Sequence, residues 1–521
     1  MKNRLCPDDV STPRYARPRG LDRVVSKINF TPPRRERAGH GRLLRALRPF
    51  GSPFGSMFGS IFESIFGSKF GSKFGSMAPV APGDTSTRSW TVLLPLVATT
   101  LPDRLCASTV PLHDAPAAVS TVPAIRTTEV STVIHPPIDV DPAERFGVAV
   151  AMHRAFVLVG NDGRRDGPPA AGMVTIHERV DGEYREQGRI RSPRSRIGDE
   201  FGAEIAVFDD LLVVGAPGMD GERGGAWLFR FVDRRWTPVG AVVPTERLDG
   251  DRFGEAVAIT DRLVVVGGPR ADVEGVLDRG RVACFDVGDK AVGRPTELDP
   301  GRSMTGLRFG TAVAIGKSIV VGAPGLDVIL PHQDDVIVDR AGGAIGFTTV
   351  RPHRRTRTLL RPDPSPLDRA GRSVAMLRDD RIAVAAPRAT FVAPRSGVIT
   401  VHDRRRREYA APIGPESGLG TRIAGSPGML AASIPGRRDA TGRVDAAVRI
   451  NRILDHDLIP ALDLTGLGVG GSIQRIRFDR HGLRLAIGVT PPGDGWSAAG
   501  VVHVVDFEAH GRGDPFGPHR P

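Results

Sequence analysis

The chain has none of the short motifs by which an enzyme is usually read from sequence. There is no Gly-x-Ser-x-Gly elbow, no His-Glu-x-x-His, no phosphate loop of the Gly-x-x-x-x-Gly-Lys type and no Cys-x-x-Cys pair. The histidines of the repeated region (His153, His177, His332, His353, His402, His456, His481 and His503) fall at unrelated places, so they imply no shared ligand set. Cysteine is scarce. Of Cys6, Cys106 and Cys284, only Cys284 lies within the repeats, in an apolar run where it is expected as a small buried hydrophobe. No disulfide is therefore expected, and a domain spanning 119–507 is large enough to do without one. No apolar run is long enough to cross a bilayer as a helix.

The positive charge is equally uninformative about the main domain. Residues 1–77 hold 15 Lys/Arg against 5 Asp/Glu and so carry +10 of the formal +12, while the remaining 56 against 54 nearly cancel. The high pI thus gives no reason to expect a nucleic-acid partner for the repeats, and no recognition motif accompanies it. From Phe50 to Met77 the chain repeats a tetrapeptide seven times, Phe-Gly-Ser-x in six copies and Phe62-Glu63-Ser64-Ile65 in the fourth, a period that suits neither helix nor strand. Residues 1–77 are expected as a basic, low-complexity, disordered extension. The favoured reading is an expanded repeat lying outside the translated protein, with Met77 as the true start. Residues 78–118 then read as an export signal and linker: Arg88 precedes the eleven-residue run Thr91–Leu101, and cleavage after Ser108 is acceptable. The expected location is secreted or cell envelope, with the cytoplasm as the alternative if Met1 is the true start. The tail, 508–521, is expected to be disordered.

The informative feature is a phrase that recurs. Phe201-Gly202 leads to Gly215-Ala216-Pro217, Phe253-Gly254 to Gly267-Gly268-Pro269, and Phe309-Gly310 to Gly322-Ala323-Pro324. Phe146-Gly147 leads to Gly160-Asn161-Asp162, Gly371 to Ala385-Ala386-Pro387, Gly420 to Ser433-Ile434-Pro435 and Gly470 to Gly488-Val489-Thr490. Seven marker glycines, 49 to 61 residues apart, mean one unit copied seven times. Within a unit, short β-branched runs such as 204–207, 211–214, 224–231 and 236–243 give four strands without helical periodicity. The expected fold is all-β, a seven-bladed propeller of four-stranded blades over 119–507. The last copy stops after its third strand, whereas Val130–Ile134 is a strand with nothing of its own to pair with. It is predicted to supply the outer strand of the seventh blade and so hide an open edge. The glycines permit close approach or positive φ, the prolines end the second strand, and the phenylalanines plug the space between blades.

This motif pair resembles the FG-GAP repeat, which builds the seven-bladed propeller of integrin α chains and of many bacterial secreted or surface proteins. The resemblance implies a binding or adhesion module. Many members of that family carry an Asp-x-Asp-x-Asp-Gly calcium loop between the two markers. Here the corresponding turns read Asp209-Asp210, Asp261-Arg262, Gly316-Lys317 and Asp379-Asp380, without alternating acids, so no cofactor is expected. Weaker cation candidates lie in the loop after Gly-Ala-Pro: Asp220, Asp272, Asp327, Asp334 and Asp335. The longest such loop, 325–341, mixes Leu326, Ile329, Leu330 and Val336 with Asp327, Asp334, Asp335 and Asp339, a composition that suits a docking loop or, equally, a loop folded down over its own blade. The expected function is a non-catalytic, monomeric binding scaffold for a protein or glycan, with no membrane span in the mature chain. The alternative is a propeller hydrolase or lyase acting on a glycan or phosphoester through acids at the channel mouth.

Overall fold

A strand with one face in water alternates polar and apolar residues, but Leu211–Ala216 and Leu263–Gly268 are buried at every position. Both of their faces are covered, which is why these runs read as continuously apolar. The computed structural model describes residues 131–507, apart from 141–144, 164–169, 289–290, 331–335, 392, 404–406, 410–416, 436–445, 455–456, 468–470 and 491–499. The expectations for 1–77, 78–118 and 508–521, and for Asp334, Asp335 and Gly470, lie outside the described residues.

Seven four-stranded antiparallel sheets form a β-propeller. The second blade is typical: Glu204–Phe208, Leu211–Ala216, Gly225–Val232 and Arg235–Val242, each paired with the next. First strands line the axis and touch their neighbours around the ring, with Ser472–Phe478 of the last blade returning to Ala149–His153 of the first. Outer strands such as Glu183–Ile190 are largely exposed and charged, a composition that discourages edge-to-edge pairing.

The ring closes as the sequence predicts. Thr132–Ile134 pairs antiparallel with Val501–Asp506, with Thr132 opposite Val504 and Ile134 opposite Val502. This N-terminal strand is the fourth strand of the seventh blade. Ile134 is buried, and the Ser131 hydroxyl lies 3.1 Å from Nδ1 of His503.

The motif phenylalanines fill the seams between blades. Phe201 packs with Val148, Leu158 and Val174 of the first blade and with Leu212, Val214 and Phe229 of its own. Phe146 does the same across the closing seam, against Ile134, Val502 and Val504. Each ring meets an aromatic on the third strand of its own blade edge-on: Phe201 with Phe229 at 6.1 Å, Phe253 with Phe285 at 6.4 Å, Phe309 with Phe347 at 6.0 Å. In the first blade His177 takes that slot, 5.9 Å from Phe146. Full burial of such a ring contributes about 1.5–3 kcal/mol. Cys284 is buried and unbonded, and burial pushes its thiol up to about 12.

The spacing of the two markers has a geometric cause. The Gly202 N–H donates to the Gly215 carbonyl at 3.0 Å, while the Gly254 carbonyl of the next blade presses on Gly215 from the other side. A Cβ on Gly215 would lie 2.2 Å from that oxygen. Gly254 itself has φ of 104°, a backbone that side chains rarely adopt.

The fourth blade departs from the expected pattern. Between its second and third strands, Ser318–Ala323 and Gly343–Thr348, the long loop forms a hairpin of its own, Val328–Leu330 with Val336–Val338.

Candidate functional site: the two mouths of the central channel

Strands in a blade run alternately up and down. The connections from second to third strand, and from each blade to the next, therefore share one face, here called the loop face. The two hairpin turns of each blade share the other, the turn face. The channel along the axis opens on both, and the two mouths differ in charge.

At the turn face a cavity of about 730 Å³ is lined by the ends of the first strands and by Arg154, Asp209, Asp210, Asp479 and Arg480. Its charges are mutually satisfied. Arg154 pairs with Asp210 at 3.0 Å, Arg480 with Asp209, and Arg484 with Asp479 at 3.4 Å. His153 sits under this rim, edge-on to Phe231 and Trp236 at 4.9 and 5.1 Å, and burial holds its pKa below the ordinary imidazole range.

At the loop face a cavity of about 310 Å³ is lined by seven arginines and four carboxylates. Arg145 pairs with Asp162, and Arg252 with Glu200 at 2.5 Å and Glu255 at 2.7 Å. Burial raises the Asp162 carboxyl above the usual carboxylate range, outweighing the Arg145 guanidinium beside it. Arg270 also reaches Glu255, at 3.4 Å. Glu204, 2% exposed, accepts from Arg477 at 2.8 Å and forms an ion pair with Arg475. Arg422 donates to the Gln474 carbonyl at 2.7 Å, and while the Arg372 N–H donates to the Arg369 carbonyl at 3.3 Å, its guanidinium makes no hydrogen bond or ion pair among the described residues. Desolvation pulls the Arg475 guanidinium down to about 9, with Arg477 adding to it, and takes Arg477 to about 10. Arg422 falls to about 10, first through desolvation and then through the charges of Arg372 and Arg477. Arginine stays protonated in proteins, so these shifts report guanidinium groups buried close to one another.

The acids expected as cation candidates are engaged locally. Asp220 pairs with Arg247 at 2.8 Å, Asp272 accepts from the Asp278 N–H at 2.8 Å, and Asp327 accepts from the Arg340 N–H at 2.7 Å. Asp339 is exposed near the hairpin base. Among the described residues no three His, Cys, Asp or Glu side chains converge as a metal would require.

The expected docking loop divides in two. Leu326 is only 3% exposed and belongs to the core between the third and fourth blades, a correction to its place among contact residues. The hairpin needs a floor, and Val328, Val338 and Ala341 supply it; Leu330 and Leu360 pack against it. Ile329 and Ile337, opposite each other on the outer face, are 41% and 65% exposed, and Val336 is exposed too.

These residues are part of a wider pattern. The exposed large apolar side chains Ile138, Ile197, Leu248, Leu277, Ile329, Val336, Ile337, Leu367 and Phe391 all lie in loop-face connections. Among the described residues only Val232, at the end of its strand, and Val350, in a turn, lie toward the opposite face. Sequence reasoning missed both this segregation and the arginine mouth. The signal for the second was present: Glu255 and Arg372 directly follow marker glycines, and Glu204 and Arg422 follow by two, the positions that open on the axis.

No known family model matches the chain, and no curated protein is significantly similar to it.

Proposed function

We propose that this propeller is a non-catalytic binding scaffold of the FG-GAP type, secreted or held at the cell envelope, that engages a protein or glycan through its loop face. The observation that carries this reading is the concentration of exposed apolar side chains on one face, around a charged channel mouth. An apolar surface within a polar rim is the usual composition of a binding patch. A further support is that, among the described residues, every carboxylate lining either mouth is paired with an arginine. A general acid or nucleophile needs a carboxylate available to substrate, so these pairings favour recognition over turnover.

The test is co-sedimentation of the purified chain with cell envelopes, comparing wild type, Ile329→Asp/Ile337→Asp and Val350→Asp. The double variant is expected to lose about tenfold in binding, as removal of a hot spot does, while Val350→Asp on the turn face binds as wild type. Equal binding by all three chains would refute the assignment of the loop face.

A further inference from the structure

The loop-face mouth carries more positive charge than its own residues neutralise. Arg475 and Arg477 are two apart on one strand, so both side chains leave the same side of it, while Ile476 between them turns into the core. The pairing register shifts between Ile473 and Arg475, just where the strand enters the cavity. These two arginines share the single carboxylate of Glu204, which comes from the second blade. Arg372 of the fifth blade and Arg422 of the sixth line the same cavity without an ion pair to any described carboxylate. Among the described residues seven arginines face four carboxylates there, an excess of three positive charges in a half-closed space.

Like charges gathered in a low-dielectric cavity oppose folding unless something offsets them. At the turn face Arg154, Arg480 and Arg484 each pair with an aspartate, so the larger excess lies at the loop-face mouth. A volume of about 310 Å³ equals that of roughly ten liquid waters, enough for a small ion with part of its hydration shell. Planar guanidinium groups present paired donors that match the oxygens of phosphate or sulfate.

We propose that Arg372, Arg422, Arg475 and Arg477 form a binding site for a small tetrahedral oxyanion, free phosphate or sulfate, at the loop-face mouth of the channel. Glu204 orients Arg475 and Arg477 and sets the residual charge that the anion neutralises. The site deepens the binding-face assignment by giving that face a chemically defined centre, but it does not depend on the macromolecular partner.

The experiment is calorimetric titration of the full chain with inorganic phosphate and with sulfate at low ionic strength, alongside melting curves with and without each ion. Wild type is expected to bind one ion saturably and to melt higher in its presence. Arg372→Ala and Arg422→Ala should each weaken binding by about tenfold, the value of one charge-assisted hydrogen bond, without lowering the melting point in anion-free buffer. Arg422→Lys should retain part of the affinity, and Arg480→Ala, at the other mouth, all of it. If an alanine variant fails to fold, Arg422→Lys and the wild-type melting shift still decide the matter. Absence of saturable binding by wild type, or equal weakening by Arg480→Ala, overturns the site. Anion binding that persists when Ile329→Asp/Ile337→Asp has abolished envelope binding keeps the two proposals separate. Envelope binding without anion binding refutes this one alone.

Discussion

Gly147 and Gly488 meet backbone to backbone where the ring closes. A Cβ on Gly488 would lie 2.0 Å from the Gly147 carbonyl oxygen, with the Gly147 carbonyl carbon 3.0 Å away. The same joint recurs between Gly215 and Gly254 and between Gly322 and Gly371. The two markers are therefore halves of one inter-blade contact, and their spacing is the length of the hairpin that brings them together. Gly488→Ala forces backbone apart across the seam, and the expected loss is roughly 3 kcal/mol or more, in the range of severe core substitutions. Gly188→Ala is the control, because nothing lies within 4 Å of its missing Cβ and its φ is ordinary. That change should be neutral or stabilise slightly, by up to about 1 kcal/mol. Similar urea midpoints for the two variants would contradict the joint.

The N-terminal strand should behave as part of the core. Ile134 is buried in the cluster that holds Phe146, Val502 and Val504. Ile134→Ala is expected to cost about 2–5 kcal/mol, and deletion of 119–140 more, because it also bares the edge of Val501–Asp506. Chemical denaturation measures both. A truncated chain that unfolds at the wild-type midpoint would show that the ring does not need its fourth strand.

His177 offers a pH test. Its ring replaces the phenylalanine of other blades, and burial pushes its imidazole down to about 4 from 6.5. The folded state holds it neutral, whereas the unfolded chain takes up a proton near pH 6.5. Its contribution is therefore whole above that pH and declines as pH falls toward 4, by on the order of 3 kcal/mol in all. His177→Phe should remove that slope, so the wild type loses stability relative to the variant between pH 7 and about pH 4.5. A constant difference across that window would mean that the imidazole titrates freely.

Within one loop, Leu326 and Ile337 should give opposite results. Leu326→Ala opens a cavity between the third and fourth blades and should cost about 2–5 kcal/mol. Ile337→Ala on the exposed face should leave the midpoint within about 0.5 kcal/mol while weakening envelope binding. Thermal melts with the co-sedimentation assay read both. Loss of stability by Ile337→Ala would place that residue in the fold rather than in the recognition surface.

The architecture was legible because most blades repeat the same backbone joint between two glycines, with Ala385 and Ser433 at the second marker in the fifth and sixth copies. Phe146, Phe201, Phe253 and Phe309 could be assigned to seams because one bulky residue recurred beside that glycine. Closure was legible for a different reason: Val501–Asp506 lacked a partner and Val130–Ile134 lacked a sheet. The arginine mouth was not legible. Arg372, Arg422, Arg475 and Arg477 come from three blades and share no local motif, and their convergence depends on ring geometry and on the register shift before Arg475. Leu326 was grouped with contact residues because composition does not reveal which apolar residues of a loop turn into the core between blades.

The most direct measurement is site-specific photocrosslinking in the cells that make the protein, with the crosslinking residue placed in turn at Leu277 and Ile337 on the loop face and at Val232 and Val350 on the turn face. The account expects one crosslinked species from both loop-face positions and none from the turn face. Crosslinks of equal yield from both faces, or from the turn face alone, would contradict it.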